Sequence, residues 1–342
     1  MDSSAKPNKV KSSEPRVTVV ITAFNRVEYV REAVDSVLGQ FSNKSEVQVI
    51  VLKNFVDEKL DGYLTVRHVT IIQAGPGNQG KLTLVGERFA TNEVVCYLDD
   101  DDLFLPGKID RVIEVFQGDP EIGFYHNAFE VWDMNRERMG NSWRKRLKEP
   151  LAIKVNSSKE LRFVLGNGAH INMSSICVKK KIIEDAENIF DRISSSNDDA
   201  VLFSSIDSGY KLYLDSAVLT KYRVHDSESH RYKNRDNYVR HTSELMSKRI
   251  ESYSILFNSV KKTYLKQACR VRIKRDQMLK EAMADTQDKR VLFTKILDFI
   301  KCSNGFLNRT DIAILVASFL LFLGRKLSVT FIYLLSSRVL IA

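Results

Sequence analysis

The chain has 342 residues, 44% of them hydrophobic and 28% charged, with a formal net charge of +9 at pH 7. That balance supplies a full apolar core and about two domains, and it excludes a chain that is disordered throughout. Its four cysteines, Cys96, Cys177, Cys269 and Cys302, are far apart with no Cys-x-x-Cys pair, which excludes a zinc ribbon or a disulfide framework and predicts reduced thiols in a cytosolic compartment.

Residues 1–15 are polar, rich in Ser and Lys, and lack the apolar stretch of a secretory signal; they read as a disordered lead-in. The β-branched run Val17 to Ile21 predicts a buried parallel strand, and the apolar spacing from Glu28 to Gln40 predicts a helix packed along one face. Further strands are predicted at Val47–Leu52, Val69–Ile72 and Val94–Leu98. A Gly-rich loop should run from Ala74 to Lys81, followed by a helix over Leu82–Ala90. Strands alternating with helices predict a doubly wound parallel sheet, whose ligands gather at the carboxyl ends of the strands. Past Pro106 the pattern becomes α+β, with short strands at Ile122–Tyr125 and Ser174–Val178. From about Tyr232 to Cys302 it becomes helical and basic.

The fourth strand ends in Asp99-Asp100-Asp101-Asp102. Adjacent carboxylates at a strand end repel one another unless a cation or hydrogen bonds offset the charge. A hard divalent ion, Mg²⁺ or Mn²⁺, held by one or two carboxylates and a substrate's phosphates, would do so. Alternation along the strand end puts Asp99 and Asp101 on one side and Asp100 on the other. The competing reading is a solvated acidic turn with Asp102 as a helix N-cap.

Here a family resemblance becomes specific. Val17 to Arg26 resembles the opening strand and loop of family 2 glycosyltransferases. Asp35-Ser36-Val37-Leu38-Gly39-Gln40 resembles the family's Ser-Val-Leu-x-Gln segment, and Leu98 to Ile109 its D-x-D-D…P-x-K block. The resemblance runs from about Arg16 to Ser229. It implies a GT-A fold, a Rossmann-like α/β domain for nucleotide-diphospho-sugars, over residues 16–229.

By position, the resemblance makes Asp99 and Asp101 the pair that meets the metal and the sugar nucleotide, with Asp100 on the donor side. It places Thr22, Ala23, Phe24, Asn25 and Arg26 at the nucleobase and ribose. Where the family carries an Asp-rich turn after the second strand, this chain has Leu52-Lys53-Asn54-Phe55. Asn54 can still bond a base edge, so the donor stays open between a UDP- and a GDP-sugar. Lys81 is a candidate donor contact, against a solvated loop lysine.

Ser196-Asn197-Asp198-Asp199 resembles the acidic pair before the family's Leu-x-x-x helix, which implies Asp199 as the base for the acceptor hydroxyl and Asp198 as its neighbour. A helix N-terminus would keep such carboxylates ionised and aimed. The alternative is an N-cap without chemistry, or an orienting role if the acceptor is a lipid phosphate. Tyr222-Arg223-Val224-His225 resembles the family's Tyr-Arg-x-His segment, which implies Arg223 on the diphosphate and His225 as a further metal ligand.

From Arg231 to Lys301 there are 18 Lys and Arg against 8 Asp and Glu, so the basic surplus of the chain sits in a helical region, residues 230–309. Ile312 to Leu323 is an apolar run of twelve, followed by Gly324-Arg325-Lys326 and a second apolar run to Ala342. Twelve helical residues reach about 18 Å against a hydrocarbon core of about 30 Å. Residues 310–342 therefore read as interfacial or re-entrant helices at the cytoplasmic side of the cell membrane, with an internal helical pair or a homo-oligomer interface as the alternatives. No nucleic-acid reading motif is present.

These features predict a metal-dependent, inverting glycosyltransferase with a lipid-linked or glycan acceptor. The alternatives are a metal-dependent nucleotidyltransferase, and a catalytically silent scaffold that keeps the fold.

Overall fold

The computed structural model describes residues 17–40, 47–75, 78–133, 138–140, 147–224, 235–284 and 288–303, with residues 312, 315, 316 and 318 beyond them. The expected lead-in 1–15, His225 and nearly all of 310–342 lie outside the described residues.

The N-terminal half alternates β1 (Val17–Ala23), α1 (Val30–Leu38), β2 (Val47–Lys53), α2 (Glu58–Val66), β3 (Thr70–Gln73), α3 (Gln79–Phe89) and β4 (Val94–Asp99). β1 runs parallel to β2 on one side and to β4 on the other, and β3 continues the parallel set outside β2. The β1 run behaves as its alternation dictates. Val17, Val19 and Ile21 face one apolar layer with Val30, Val34 and Leu60, while Val20 faces the opposite layer with Leu84.

The expected parallel sheet is therefore present, with two local differences. α2 has no strong apolar stripe in the sequence; it is started by Asp57, whose carboxylate accepts from the Leu60 backbone N–H at 2.7 Å. α3 begins three residues before the expected Leu82, because Asn78 caps it by accepting from the Lys81 N–H at 2.8 Å. Gly80 and Lys81 are thus helical rather than loop. Glycine is required at 80: a Cβ there would lie 2.2 Å from the Phe190 carbonyl oxygen.

The second half adds β5 (Leu103–Phe104), α4 (Lys108–Gly118), β6 (Ile122–Asp133), β7 (Arg138–Gly140), β8 (Leu151–Ile153), α5 (Ser158–Gly166), a 3₁₀ turn at Met173–Ser175, β9 (Ile176–Lys179), α6 (Lys180–Asp185), α7 (Glu187–Phe190), α8 (Asn197–Asp207) and β10 (Lys211–Val224). The sheet order is β3-β2-β1-β4-β9-β6-β10-β5, with β9 antiparallel to both neighbours and β10 parallel to β6. All four cysteines are free thiols.

Three basic helices follow: α9 (Arg235–Ser259), α10 (Thr263–Met283) and α11 (Lys289–Ser303). Tyr253 and Leu256 of α9, and Leu265, Ala268 and Cys269 of α10, join the same apolar cluster as the α3 face of the sheet. The helical region is therefore packed into the α/β domain through a shared core. Among the described residues, no helix is long and apolar enough to cross a membrane.

Candidate active site

The parallel strands β1, β2 and β4 deliver their carboxyl ends to one edge, as the fold requires. Thr22 sits opposite Asp99 in the β1–β4 register and donates its hydroxyl to Asp99 Oδ1 at 3.2 Å. The backbone N–H of Asp100 bonds the Thr22 carbonyl at 3.1 Å. Asn25 takes a left-handed conformation, φ 55°, and this turns the loop after β1 toward β2. Its backbone N–H donates to Asn54 Oδ1 at 2.8 Å, and Asn54 Nδ2 donates back to Asn25 Oδ1 at 2.7 Å. Two expected donor-site residues are thus joined reciprocally. Ala23 is buried beneath them, while Phe24 stands exposed at the rim.

Arg26 reaches across to the acidic run. Its Nε and Nη2 hold both oxygens of Asp100, at 3.0 and 2.6 Å, and Nη2 also lies 2.7 Å from Asp101 Oδ2. The guanidinium is held firmly protonated by these carboxylates, although its burial opposes this. Asp99 is pushed up to about 7 by burial and by the charges of Asp101, Asp100 and Asp198, against the opposing Thr22 bond. Asp102 is fully buried; its Oδ1 accepts from the Arg223 backbone N–H at 2.9 Å. It caps no helix, so the N-cap alternative for Asp102 does not describe this turn.

Asp99 and Asp101 are hard oxygen donors, and the Arg26 guanidinium offsets part of the charge of the run. That chemistry fits a divalent cation. Among the described residues no three His, Cys, Asp or Glu side chains converge as a complete ligand set, so phosphate oxygens and water would have to complete the coordination. His225 lies outside the described residues.

Arg223 differs from expectation. Its side chain is 2% exposed, with Nε on the Asp101 carbonyl at 2.8 Å and Nη2 on Glu32 at 2.6 Å. The guanidinium lies 4.3 Å from the Tyr29 ring centroid and 4.9 Å from that of Trp132. A side chain so enclosed braces the acidic turn from behind rather than clamping a diphosphate. Lys81, on the exposed first turn of α3, lies 3.8 Å from Asp191, which agrees with the solvated-lysine alternative.

The acidic pair Asp198-Asp199 lies in the first turn of α8. Ser196, at φ 58°, turns the chain into the helix without a side-chain cap. Asn197 ties this end to α3 through a 2.8 Å bond to Thr83 Oγ1. The two carboxylates differ sharply. Asp199 is buried, with Oδ1 2.9 Å from Nη2 of Arg272 and Oδ2 accepting from the Tyr253 hydroxyl at 2.6 Å. Burial alone would raise its proton affinity, yet the charge of Arg272, with help from His170 and Tyr253, holds it below the usual carboxylate range. Asp198 keeps partial exposure, and Oδ1 accepts from the Asp199 backbone N–H at 3.1 Å. Burial and the neighbouring Asp199 charge push it up to about 7.

The two carboxylates therefore stand in unequal surroundings. A base needs access to the acceptor's hydroxyl; Asp198 is the more exposed of the two, and Asp199 is the one bonded at both oxygens. Arg272, Tyr253, Thr83, Glu32 and Ser174, whose Oγ accepts from the Asp99 backbone N–H at 3.0 Å, were not singled out from the sequence. Their contacts to the site span long sequence separations, and no local pattern marks them.

Comparison with known proteins places these observations. The model of the family described as "Glycosyl transferase family 2" matches residues 18–185. An uncharacterized glycosyltransferase of Nostoc is 33% identical over 118 residues, covering 33% of this chain and 36% of that protein. One from Rickettsia typhi is 25% identical over 226 residues, 65% of this chain and 68% of that protein. The chain spans little more than a third of the length of the Nostoc relative and of a Haemophilus influenzae one. Among solved structures, Staphylococcus aureus TarS 1–349 in complex with UDP-GlcNAc superposes with a TM-score of 0.56 at 13% identity, covering 92% of this chain and 89% of that one. The mannosyltransferase PcManGT of Pyrobaculum calidifontis, in complex with GDP-Man and Mn²⁺, gives 0.53 at 13% identity, covering 96% and 87%. At that identity the likeness establishes the fold, which is the GT-A arrangement of a mixed α/β sheet.

Proposed function

Through residues 18–185 the chain belongs to glycosyl transferase family 2, and on that premise we propose that it moves a sugar from a nucleotide-diphospho-sugar to a lipid-linked or glycan acceptor with inversion at the anomeric carbon. The observation that carries this reading is the meeting of two acidic groups from distant parts of the chain. The 3₁₀ turn joins them: Asn197, beside Asp198, donates to Met173 Sδ at 3.8 Å, and the next residue, Ser174, accepts from the Asp99 backbone N–H through Oγ at 3.0 Å. One group suits a cation and a diphosphate; the other suits a proton.

The loop from Thr22 to Arg26, tied to Asn54, is the wall on which the nucleoside rests, with Phe24 offering an exposed aromatic face. Asp99 and Asp101 would hold Mn²⁺ or Mg²⁺, which supplies charge neutralisation for the diphosphate leaving group. Arg26 contributes a second positive charge at the same place. The pair Asp198-Asp199 accepts the acceptor's hydroxyl proton as that oxygen forms its bond to the anomeric carbon, and the carbon–oxygen bond to the diphosphate breaks on the opposite face. The donor of TarS is a UDP-sugar and that of PcManGT a GDP-sugar by their complexes. Asn25 and Asn54 present amide groups able to pair with either base edge.

The same reading places the protein at the cytoplasmic face of a membrane. Val291, Phe293 and Ile300 of α11 are exposed beside the exposed Lys289, Arg290 and Lys301, the pairing of apolar and basic groups that suits an anionic interface. Not all of the basic surplus is available for it. Arg249 and Arg275 bind the buried Asp276, and Arg272 binds Asp199.

Thermal shift with UDP, GDP, UDP-GlcNAc and GDP-mannose, each with and without Mn²⁺, tests the reading. One nucleotide series should raise the melting temperature only when Mn²⁺ is present. No shift with any of them would favour a silent scaffold.

A further inference from the structure

The ladder between β4 and β9 pairs Val94 with Lys179, Val95 with Val178 and Cys96 with Cys177, and then stops. Continued at the same register, it would set Asp99 opposite Ser174. Here the chain coils instead into the 3₁₀ turn, and a side chain replaces the missing ladder bond: Ser174 Oγ accepts from the Asp99 backbone N–H at 3.0 Å. Asn172 opens the turn at φ 69°, and its Oδ1 accepts from the Ser174 N–H at 3.0 Å. The Ser174 carbonyl accepts from Lys108 Nζ at 2.6 Å and from the Thr220 hydroxyl at 3.2 Å. The N–H, the carbonyl and the hydroxyl of Ser174 are thus all engaged, and the residue is fully buried.

Lys108, the lysine of the Pro-x-Lys segment, has no part in the reaction itself. It is fully buried at the first position of α4, where the helix's own N-terminal charge opposes an ammonium. Its three N–H directions go to the Ser174 carbonyl, to Thr220 Oγ1 at 3.0 Å and to the face of Phe104, whose ring centroid is 3.9 Å away. Asn127 Nδ2 also donates to Thr220 Oγ1, at 3.0 Å. Among the described residues no carboxylate forms an ion pair with Lys108. A buried ammonium answered only in this way costs stability. What the charge supplies is a short, charge-assisted hold on one carbonyl.

We propose that Lys108, with Thr220 beside it, is a positioning residue for the cation and the diphosphate: the two hold the Ser174 carbonyl, and through Ser174 Oγ the 3₁₀ turn fixes where Asp99 stands. The inference rests on the glycosyltransferase reading above. Lys108 touches neither the cation nor the sugar nucleotide; its effect travels along two hydrogen bonds. Groups that orient a metal-binding side chain in this way carry about ten- to a hundredfold of the metal affinity.

The test measures Mn²⁺ binding to the full chain by electron paramagnetic resonance, with UDP or GDP present and well below the melting temperature, so that it reads the folded protein without turnover. Ser174→Ala removes only the Oγ and should weaken Mn²⁺ binding about tenfold. Lys108→Met should weaken it by a similar factor. Combined, the two should weaken it no further than Ser174→Ala alone, because Lys108 acts through Ser174. Should Lys108→Met not fold, Thr220→Val removes the hydroxyl shared by Lys108 and the Ser174 carbonyl, and takes its place in the same cycle. Wild-type Mn²⁺ affinity in these variants, with only the melting temperature lowered, overturns the proposal, since that is the pattern of a purely structural network. Additive losses in the double variant overturn it as well. No Mn²⁺ binding by the wild type with either nucleotide defeats the proposed function itself, and this inference with it.

Discussion

Arg26 and Asp101 form an ion pair of 2.7 Å between the loop after β1 and the turn after β4, while the same guanidinium holds both oxygens of Asp100. The two loops are separated by more than seventy residues, and register between adjacent parallel strands brings them together. The acidic run therefore carries a resident cation of its own, partly exposed, at the carboxylate where a divalent ion would sit.

That arrangement predicts competition. Removing the guanidinium in Arg26→Met takes one positive charge away from Asp100 and Asp101, so Mn²⁺ alone should bind about tenfold more tightly, equivalent to about 1.4 kcal/mol. Electron paramagnetic resonance titration of free Mn²⁺ measures this without any turnover. Equal affinities in variant and wild type would mean that the two cations do not share Asp101.

The two members of the acidic pair should fail differently. Loss of the carboxylate that takes the proton should cost 10² to 10⁴ in turnover, the usual reach of general base catalysis, with donor binding unchanged, and Asp198→Asn tests the more exposed member. Asp199→Asn keeps the Tyr253 bond but strands the Arg272 charge, so its main effect should be on stability, on the order of 3 kcal/mol. Calorimetry and steady-state rates on both variants decide the order of roles. A larger loss of turnover in Asp199→Asn than in Asp198→Asn would bear out the order the family resemblance implies.

Stability should carry a pH signature from Glu87. This α3 carboxyl is 2% exposed and accepts from the Tyr97 hydroxyl at 2.6 Å. Burial pushes it up to about 8 against that bond. Its folded value lies above its unfolded one, so the native state holds a proton that the unfolded chain has released between about pH 4.5 and pH 8. Stability from this group is present at low pH and lost as pH rises through that window. Glu87→Gln retains an acceptor for Tyr97 and does not titrate. Its melting temperature relative to wild type should therefore climb from pH 5 to pH 9, by an amount on the order of a few kcal/mol in stability. A constant difference across that range would show that Glu87 is ionised throughout.

Removal of residues 310–342 should abolish sedimentation with vesicles of anionic lipid while donor hydrolysis remains measurable. Continued pelleting of the truncated chain, weakened by salt, would assign attachment to the basic helices and the exposed Val291 and Phe293.

Much of the fold was legible because its signals are local. The β-branched run from Val17 to Ile21 and the apolar spacing of Val30, Ala33, Val34 and Val37 report periodicity within a few residues, and the buried positions match them. α2 escaped because it rests on one side-chain cap and two buried leucines, Leu60 and Leu64, too few to form a pattern. The start of α3 was misplaced because its glycine reads as loop, whereas the close approach of Phe190 is what requires it.

By itself the sequence determined which residues are chemical: the run Asp99–Asp102, the pair Asp198-Asp199, the family they resemble, and the strand ends that carry them. Only the tertiary structure decided which partners those groups have. Arg223 is turned inward onto Glu32 and the Asp101 carbonyl, and Asp199 is claimed by side chains 54 and 73 residues away. The reason is electrostatic. A carboxylate's proton affinity is set by burial and by whichever charges stand within a few ångströms, and those neighbours come from elements far apart in the chain.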